Sequence, residues 1–376
     1  MPESMPQSHD RRAATRRLVT VIVTTQLVIA LLTATGVYAL WRHLDGNLQT
    51  GAAITHQVHK KISDRDRYAS HQPLNILVLG TDTRAGSGNA IDHEKGCDCS
   101  DTTILVHVSA DRQSAYGVSI PRDALVKPVP CTRDRLYRDT GLVEWNAAYS
   151  AGGAACTAEQ LEKDFHVYVD DYVVVDFAGF EHMVSAVGGV DVCIPFELND
   201  PKHAKIDFKP GKSVHLDGAR ALAYVRLRYV LTGTDIARIK RQQTFISALI
   251  HKVVSAGTLT RPDRVYHFAD ALTRSITTDP GLDHVADLVG LAEQFRHIDL
   301  AHIRFVTLPN QIYDVPTTDE HWGRVQILPA AYRLMHLVDA DAPLGAFTHG
   351  SLDANGPGKH VSADAKAQAA AAGICA

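Results

Sequence analysis

The 376-residue sequence lacks the short motifs that identify several large enzyme classes. It contains neither a GxxxxGK[ST] phosphate-binding motif nor a GxGxxG motif between a strand and a helix, which argues against kinases and other nucleotide-dependent enzymes. It also lacks the GxSxG motif of serine hydrolases and the HExxH motif of zinc proteases. The sequence therefore gives no support to nucleotide chemistry or to hydrolysis through a covalent intermediate.

An excess of positive charge is missing as well. The 38 lysines and arginines are outnumbered by 42 aspartates and glutamates, so the formal net charge is −4. A protein that coats nucleic acid needs a broad basic surface, and we therefore expect no nucleic-acid partner. Any binding of an anion must depend on a local group of cations.

Charged residues are absent from the apolar segment Leu18–Trp41. As a helix, this segment is long enough to span a hydrocarbon core of about 30 Å. The alternative is a cleaved signal peptide, but the segment is longer than a typical signal-peptide core and no clear A-x-A cleavage site is present. Four arginines precede the segment and only Arg42 closely follows it, so the positive-inside rule predicts a cytoplasmic N-terminus. We therefore expect a single-pass cell-membrane protein that is extracytoplasmic after residue 42.

Cysteine is scarce, with six residues in the chain, and disulfides are the default state for thiols outside the membrane. We predict a bridge between Cys131 and Cys156. These two cysteines bracket the segment between the sequence SIPRD (119–123) and a helix expected to begin near residue 157. A second bridge, Cys97 with Cys99 or either of them with Cys193, stays open. A zinc site at Cys97 and Cys99 is disfavoured, because zinc sites use Cys-x-x-Cys pairs or a second pair of ligands.

Composition and hydrophobic patterning divide the chain into five parts. We predict a cytoplasmic tail at 1–17, a transmembrane helix at 18–41, an extracytoplasmic stalk at 42–72, a domain at 73–342 and a disordered tail at 343–376. Within the domain, apolar runs predict strands at 74–79, 103–108, 115–120, 172–177, 190–194 and 303–308. Helical patterns and caps predict helices at 178–187, 217–224, 235–254, 262–274, 282–295 and 329–338. This alternation predicts an α/β fold, a three-layer α/β/α sandwich with a mixed central sheet.

Polar residues flank three of the predicted strands. Asp82 and Arg84 follow the first strand, Asp101 lies just before the second, and Arg122 and Asp123 follow the third. Open α/β sheets bind ligands at the ends of their strands. Each motif alone is also compatible with an ordinary turn or a surface salt bridge.

The helix predicted at 235–254 has polar residues on its inward face. Asp235, Arg238 and Gln242 lie on the same side as the apolar residues of this helix. Buried polar groups need partners, so these side chains either form an internal ion pair, Asp235 with Arg238, or bind an anionic ligand.

A further pair of arginines, Arg226 and Arg228, would project to one side if their backbone is extended. Together with Arg122 and Arg238 they would form a compact cationic group in a protein that has no basic excess. Planar guanidinium groups suit phosphate oxygens, and paired aspartates suit a Mg²⁺ ion that bridges the same phosphates. These residues therefore predict a site for a pyrophosphate and magnesium.

The motifs, taken together and in this order, resemble the LytR-CpsA-Psr family of membrane-anchored enzymes. The resemblance extends from about Asn75 to Pro309 and is carried by NILVLGTDTR (75–84), SDT (100–102), SIPRD (119–123), NAAY (146–149), GGVDV (188–192), LDG (216–218), AYVRLR (223–228) and DIARIKRQQ (235–243). It implies an α/β/α domain in which an apolar pocket holds a polyprenyl chain, while arginines and Mg²⁺, or Mn²⁺ in its place, hold the pyrophosphate. It further implies transfer of a glycopolymer from this carrier onto peptidoglycan through a phosphodiester link.

The resemblance also implies roles for individual residues. Asp82, Asp101 and Arg122 are the implied catalytic residues, and Asp82 and Asp101 the implied metal ligands; we expect Asp82 to assist removal of the acceptor proton. The residues implied to bind the pyrophosphate are Arg84, Arg122, Arg226, Arg228, Arg238 and Gln242, and those implied to support them are Asp123, Asp235 and Arg241. The sequence departs from the family at Cys99, where a basic residue precedes Ser100 in familiar members. We also expect it to lack the additional C-terminal domain that some members carry.

The expected partners are a polyprenyl-pyrophosphate-linked glycopolymer, peptidoglycan and the membrane. Two other functions stay open on the sequence. A polyprenyl-pyrophosphate hydrolase would use the same site with water in place of the sugar hydroxyl. A non-catalytic lipid-binding or regulatory membrane protein would bind the carrier without any reaction.

Overall fold

The structure, a computed structural model, describes residues 8–58, 72–81, 99–132, 135–139, 141–200, 206–227, 235–255, 261–348 and 351–353. These residues form two compact units, Met1–Asn47 and Leu48–Ala376. The first unit is a single helix, α1 (Ser8–Asp45), of which residues Arg16–Asp45 are long and apolar enough to cross a membrane. Its threonines do not prevent this, because hydroxyls such as that of Thr33 donate to the carbonyl oxygen four residues earlier at 2.8 Å, which satisfies the polar group inside the helix.

The second unit alternates strands and helices. Its strands are β1 (Gln49–Thr50), β2 (Leu74–Thr81), β3 (Ser100–Val108), β4 (Ala115–Ile120), β5 (Leu125–Val126), β6 (Val143–Glu144), β7 (Asp171–Asp176), β8 (Val190–Ile194), β9 (Leu198–Asp200), β10 (Ile206–Phe208), β11 (Gly211–Leu216), β12 (Ile276–Thr278), β13 (Ile303–Thr307), β14 (Asn310–Ile312), β15 (Val325–Ile327) and β16 (Leu352–Asp353). Its helices are α2 (Arg135–Arg138), α3 (Ala147–Phe165), α4 (Phe177–Ala186), α5 (Gly218–Arg226), α6 (Asp235–Ser255), α7 (Pro262–Ser275), α8 (Val285–Phe295) and α9 (Pro329–Asp339).

Eight strands form one mixed sheet in the order β1-β12-β7-β2-β3-β4-β13-β16. Strand β3 runs antiparallel to both β2 and β4, while β2 pairs in parallel with β7 and β4 with β13. Strands β2, β4, β7 and β13 therefore all point in one direction. The remaining strands form two-stranded antiparallel sheets, β8 with β11, β9 with β10, β14 with β15 and β5 with β6.

Helices cover both faces of this sheet. On β2, Leu77 and Leu79 point into a core that also contains residues of α3 and α9, whereas Leu74 and Ile76 point into a second core lined by α6 and α8. Alternate residues of a strand face opposite sides of a sheet, which is why one strand contributes to both cores. The predicted α/β/α sandwich with a mixed central sheet is thereby confirmed.

Three segments differ from the sequence analysis in extent. Helix α3 begins at Ala147, ten residues before the predicted start near Thr157, and bends at Gly152 and Gly153, whose φ and ψ angles are not helical. Residues 49–57, assigned to the stalk, belong to the second compact unit.

The third difference concerns the C-terminal tail. Residues 344–348 and 351–353, assigned to a disordered tail, lie against the sheet: the side chain of Leu344 is buried and Leu352 pairs with Phe305. Leu344 and Phe347 give this polar, glycine-containing stretch apolar surface that packs against the core. Residues 354–376 lie outside the described part of the chain.

Candidate functional site

The polar residues of the site meet at one edge of the sheet, which we call the carboxyl edge because four parallel-pointing strands end there. Thr81, the last residue of β2, lies opposite Ser100 on one side and Asp176 on the other. At the neighbouring strands, Thr307 lies opposite Ser119. The ends of β2, β4, β7 and β13 and the start of β3 are therefore neighbours. Ligand sites of open α/β sheets lie at this kind of edge.

Asp101 and Arg122 form an ion pair at the carboxyl edge, between Arg122 Nη1 and Asp101 Oδ1. The guanidinium also lies near Asp123, with Nε 3.3 Å from Asp123 Oδ1. The three side chains are 14 to 17% exposed, so the charges are shielded from bulk water but remain accessible to a ligand. Two carboxylates thus orient one guanidinium and hold it at the surface of the site.

Helix α6 brings a second arginine to the same place. Arg238 is 2% exposed, and its Nη2 lies 3.5 Å from the carbonyl oxygen of Asp101. The helix is fixed here by Gln243, whose Nε2 donates to Ser119 Oγ at 2.9 Å and Thr307 Oγ1 at 3.1 Å. These two hydrogen bonds tie the first turns of α6 to the ends of β4 and β13. Arg238 therefore lies beside the Asp101–Arg122 pair as a consequence of tertiary packing.

A third arginine, Arg226, is the last residue of α5. Its guanidinium carbon lies 4.4 Å from the centre of the Phe177 ring, a cation–π contact, and Phe177 begins α4 directly after β7. Arg226 is helical, so the extended segment considered in the sequence analysis does not include it. The contact with the ring orients the guanidinium at the end of a strand that belongs to the carboxyl edge.

Two polar residues of α6 hold the backbone around Arg226. Gln242 Nε2 donates to the carbonyl oxygen of Val225 at 3.4 Å, and Arg241 Nη2 donates to the carbonyl oxygen of Leu227. The Arg241 side chain is fully buried, and this desolvation lowers its pKa to about 10. Arg241 therefore keeps its charge at neutral pH and acts as a buried link between α5 and α6.

An apolar surface begins where the arginines end. Arg238, Gln242, Ile246 and Ile250 are spaced four residues apart on α6 and so lie along one side of the helix. We call the partly buried residues around this surface the α6-side apolar cluster; its members are Val78, Val106, Val173, Ile246, Ile250, Leu291 and Phe295. The three valines belong to β2, β3 and β7 in the middle of the sheet, where side chains are usually fully covered. The α6-side apolar cluster thus adjoins the arginines of the candidate site.

Several expected site residues fall outside the described residues. Asp82, Arg84 and Arg228 are among them, as is the side chain of Asp235, so their roles stay predictions. Asp82 follows Thr81 directly in the chain. Among the residues that the structure does describe, no group of three or more histidine, cysteine, aspartate or glutamate side chains is arranged to hold a metal ion.

The cysteines of the described segments are all oxidised. Cys131 and Cys156 form the predicted disulfide, with their Cα atoms 5.3 Å apart. Cys99 and Cys193 are also disulfide-bonded, so Cys99 has no thiolate to offer zinc. Cys99 is buried and lies two residues before Asp101. Its disulfide therefore anchors the start of β3 at the carboxyl edge.

Two residues that help to build the site were not identified from the sequence. Phe177 supplies the ring beneath Arg226, and Gln243 ties α6 to the sheet. Phe177 had a usable signal, since it is the last residue of the strand predicted at 172–177. Gln243 is the last residue of the DIARIKRQQ motif, but its two partners are distant in sequence and become neighbours only in the folded sheet.

Comparison with known proteins adds independent findings. The profile of the LytR_cpsA_psr family matches residues 45–326. The chain is 30% identical over 281 residues to the cell wall biosynthesis protein LcpA of Corynebacterium glutamicum, an alignment that covers 65% of this chain and 51% of that protein. It is 31% identical over 245 residues to the polyisoprenyl-teichoic acid–peptidoglycan teichoic acid transferase TagV of Bacillus subtilis, covering 64% of this chain and 59% of that protein.

The fold of one of these relatives is known. The crystal structure of Bacillus subtilis TagV matches 72% of this chain and 97% of that chain, with a TM-score of 0.57 and 25% sequence identity. The chain spans between half and three fifths of the full length of LcpA and TagV. The likeness to the TagV structure therefore concerns the fold of the matched part of the chain.

Proposed function

The chain belongs to the LytR-CpsA-Psr family, and from this premise we propose that it is a phosphotransferase that attaches a glycopolymer to peptidoglycan. The donor is the polymer on a polyprenyl-pyrophosphate carrier, and the product is a phosphodiester link. The likeness to TagV, a transferase of teichoic acid to peptidoglycan by its name, supports this choice of reaction. In this proposal α1 anchors the protein, the N-terminus is cytoplasmic and the second unit is extracytoplasmic, where peptidoglycan is found.

The observation that carries the proposal is the junction between the arginines of the carboxyl edge and the α6-side apolar cluster. Arg238 and Gln242 are followed on the same side of α6 by Ile246 and Ile250, which face the valines of the central strands. A water-soluble sugar phosphate would leave the apolar cluster without a contact, and a plain fatty chain would leave the arginines without an anion. A lipid with a charged pyrophosphate head matches both.

The arginines act on the pyrophosphate. Arg122, Arg226 and Arg238 offer planar forks of N–H donors, which form charge-assisted hydrogen bonds with phosphate oxygens. Their positive charges stabilise the negative charge that collects on the departing phosphate during transfer. Asp101 and Asp123 hold Arg122 in advance, so little reorganisation is needed when the substrate binds.

The reaction exchanges one phosphorus–oxygen bond for another. A sugar hydroxyl of peptidoglycan attacks the phosphorus next to the glycopolymer, the bond from that phosphorus to the bridging oxygen breaks, and polyprenyl monophosphate leaves. The hydroxyl proton passes to a carboxylate, for which Asp82 is our candidate. Most of the acceleration comes from holding both substrates in line and from charge stabilisation, since no covalent intermediate is required.

A magnesium ion fits the chemistry of these residues. Mg²⁺ in phosphate sites uses one or two carboxylates together with phosphate oxygens and water rather than a cage made only of protein groups. Asp101 and Asp82 would hold it, with the pyrophosphate supplying further oxygens. When bound, the ion would offset phosphate charge. Mn²⁺ has similar oxygen preferences and would serve in its place.

The proposal is tested with the full chain in detergent, a lipid-linked polymer as donor, Mg²⁺ and a soluble peptidoglycan acceptor. We expect wild type to transfer the polymer to the acceptor. Arg238→Ala and Arg226→Ala should weaken binding of the lipid pyrophosphate by about 10- to 100-fold, because each removes a charge-assisted hydrogen bond. Arg274→Ala, which removes an exposed arginine paired with Asp270 on α7, is the matched control and should bind normally.

Two outcomes would replace this function. Release of the free polymer phosphate into water while acceptor is present would make the protein a pyrophosphate hydrolase. Tight binding of the lipid with no turnover of any kind would make it a lipid-binding protein. Normal binding by both arginine variants would show that the carboxyl edge is not the pyrophosphate site.

A further inference from the structure

The hairpin β14–β15 carries aromatic side chains that the core does not use. Its two strands are joined by residues 313–324, in which the Trp322 side chain is 55% exposed. In the same segment the rings of Tyr313 and His321 lie 5.1 Å apart. Burial of a tryptophan side chain is strongly favourable, so a ligand that covers the exposed Trp322 would gain binding free energy from that burial.

The segment is held in one conformation by its own hydrogen bonds. The Trp322 amide donates to the carbonyl oxygen of Asp319 at 3.1 Å, and the Arg324 amide donates to that of His321 at 3.0 Å. The Asp319 carboxylate accepts from the amide of His321 at 2.8 Å and from its Nδ1 at 2.9 Å. The two ends of the segment are joined, since the Tyr313 amide donates to the Arg324 carbonyl oxygen at 3.0 Å. The aromatic side chains therefore lie on a loop whose conformation is fixed by its own hydrogen bonds.

The hairpin is attached directly to the candidate site. The Val325 amide donates to the carbonyl oxygen of Asp123 at 3.0 Å, and Val325 forms a bridge with Ala124. Arg324 forms an ion pair with Glu144. Val325 is buried in the core shared by α3 and α9, which lies on the face of the sheet opposite the α6-side apolar cluster. The hairpin and the proposed lipid surface thus flank the arginines from opposite faces.

Transfer of a phosphoryl group requires the attacking and leaving oxygens to lie roughly in line on opposite sides of phosphorus. If the polyprenyl phosphate leaves on the α6 side, the acceptor hydroxyl must approach from the opposite side. We infer that residues 313–324 bind the glycan strand of the peptidoglycan acceptor, with Trp322 and Tyr313 packing against the apolar faces of its sugar rings. This inference rests on the proposed function and names the acceptor side of the same site.

The charges of the segment agree with a saccharide rather than an anionic ligand. Asp314, Asp319 and Glu320 are exposed, whereas the nearby cation Arg324 is paired with Glu144. Carboxylates accept hydrogen bonds from sugar hydroxyls, but they repel phosphate-rich polymers and anionic lipid headgroups. Aromatic rings beside carboxylates therefore favour the glycan of the acceptor over a phosphate-rich polymer or an anionic membrane surface.

The test compares acceptor and donor in one assay with the full chain. Trp322→Ala should raise the KM for a soluble peptidoglycan oligosaccharide by about tenfold, as expected for the loss of a tryptophan contact at an interface. The KM for the lipid donor and the kcat at saturating acceptor should stay unchanged, and Trp322→Phe should restore most of the affinity. Val254→Ala, at a residue that is 52% exposed and lies about 24 Å along α6 from Arg238, is the control.

A second measurement tests binding of the acceptor directly, without catalytic turnover. Calorimetric titration of the same oligosaccharide should show the same loss of affinity in Trp322→Ala, and circular dichroism should show an intact fold. An unchanged acceptor KM with normal wild-type transfer, or a change in donor KM alone, would overturn this inference and leave the proposed function standing. Absence of transfer by wild type itself would instead refute the proposed function.

Discussion

Burial raises the pKa of the Asp164 carboxyl group to about 6, although a hydrogen bond from Gln160 opposes this shift. In the unfolded chain an aspartate titrates near pH 4. Between about pH 4 and pH 6 the folded state therefore binds more protons than the unfolded state, and the free energy of unfolding must fall as the pH rises through this window. Above it, the ionised Asp164 is a cost that the folded protein carries.

Replacing this carboxylate by an amide should therefore stabilise the protein at neutral pH. We expect Asp164→Asn to raise the free energy of unfolding by about 2 kcal/mol at about pH 7.5, after allowance for partial exposure, with almost no effect near pH 4. Denaturant unfolding at the two pH values measures both quantities. A variant that is less stable at the higher pH would show that the ionised carboxylate contributes favourably.

The residues of the candidate site differ in how far the sequence could identify them. Asp101 and Arg122 stand next to apolar strands, so the rule for strand ends finds both, and the structure pairs them. Their pairing with each other is not written in the sequence, because it depends on β3 and β4 running antiparallel. Arg226 was found as a cation, but its contact with Phe177 requires α4 and α5 to meet.

At the scale of elements, the sequence predicts those that bury an uninterrupted apolar run or a periodic apolar face. Strand β4 and helix α7 lie within one residue of the predicted bounds. Strand β11 was missed because it is mostly exposed and contains Lys212, Ser213 and His215; it forms only as the partner of β8. Its existence depends on tertiary pairing, which overrides weak local preference.

In the connection from α4 to β8, two adjacent glycines differ in how well the structure would accommodate a side chain. Gly188 and Gly189 both have positive φ angles, 76° and 80°. A Cβ atom at Gly189 would lie 2.7 Å from the carbonyl oxygen of Leu216 and would also collide with the ring of His215, whereas a Cβ at Gly188 meets nothing within 4 Å. The two positions share the backbone strain but differ in the space available.

This difference predicts unequal costs for the same substitution. Gly188→Ala should lower the free energy of unfolding by about 1 kcal/mol, the cost of a left-handed alanine. Gly189→Ala should lower it by about 3 kcal/mol or more, because the backbone of β11 must also move. Equal losses in chemical denaturation of the two variants would contradict the packing of β11 against this turn.

For the whole molecule, the start of the folded domain lies earlier than the sequence suggests. Residues 49–57 look like a polar stalk, yet β1 pairs in parallel with β12, and the Tyr172 hydroxyl donates to the carbonyl oxygen of Ala52 at 2.6 Å. Helix α3 holds the rest of the segment through Glu162, whose side chain is fully buried. A polar segment can belong to a domain when buried groups of that domain require its hydrogen bonds.

Glu162 shows that requirement most clearly. Its carboxylate accepts a hydrogen bond from the Gln57 amide at 2.6 Å and from the Val169 amide at 3.0 Å, and it lies 2.8 Å from Nδ1 of His56. Two of these three contacts come from the segment that a domain boundary at residue 73 would remove. A chain that began there would leave the Glu162 carboxylate with one of these three contacts.

We therefore expect a chain that starts at residue 72 to be less stable than one that starts at residue 48 by about 3 kcal/mol or more, because it loses charge-assisted hydrogen bonds at Glu162 together with the β1 pairing. Glu162→Gln separates the two causes. In the longer chain it should destabilise, since the carboxylate is well matched to its donors; in the shorter chain it should be neutral or stabilising, since an unmatched amide costs less than an unmatched carboxylate. Thermal and denaturant unfolding of the four chains measures this cycle, and equal stability of the two starting points would show that residues 49–57 contribute nothing to the fold.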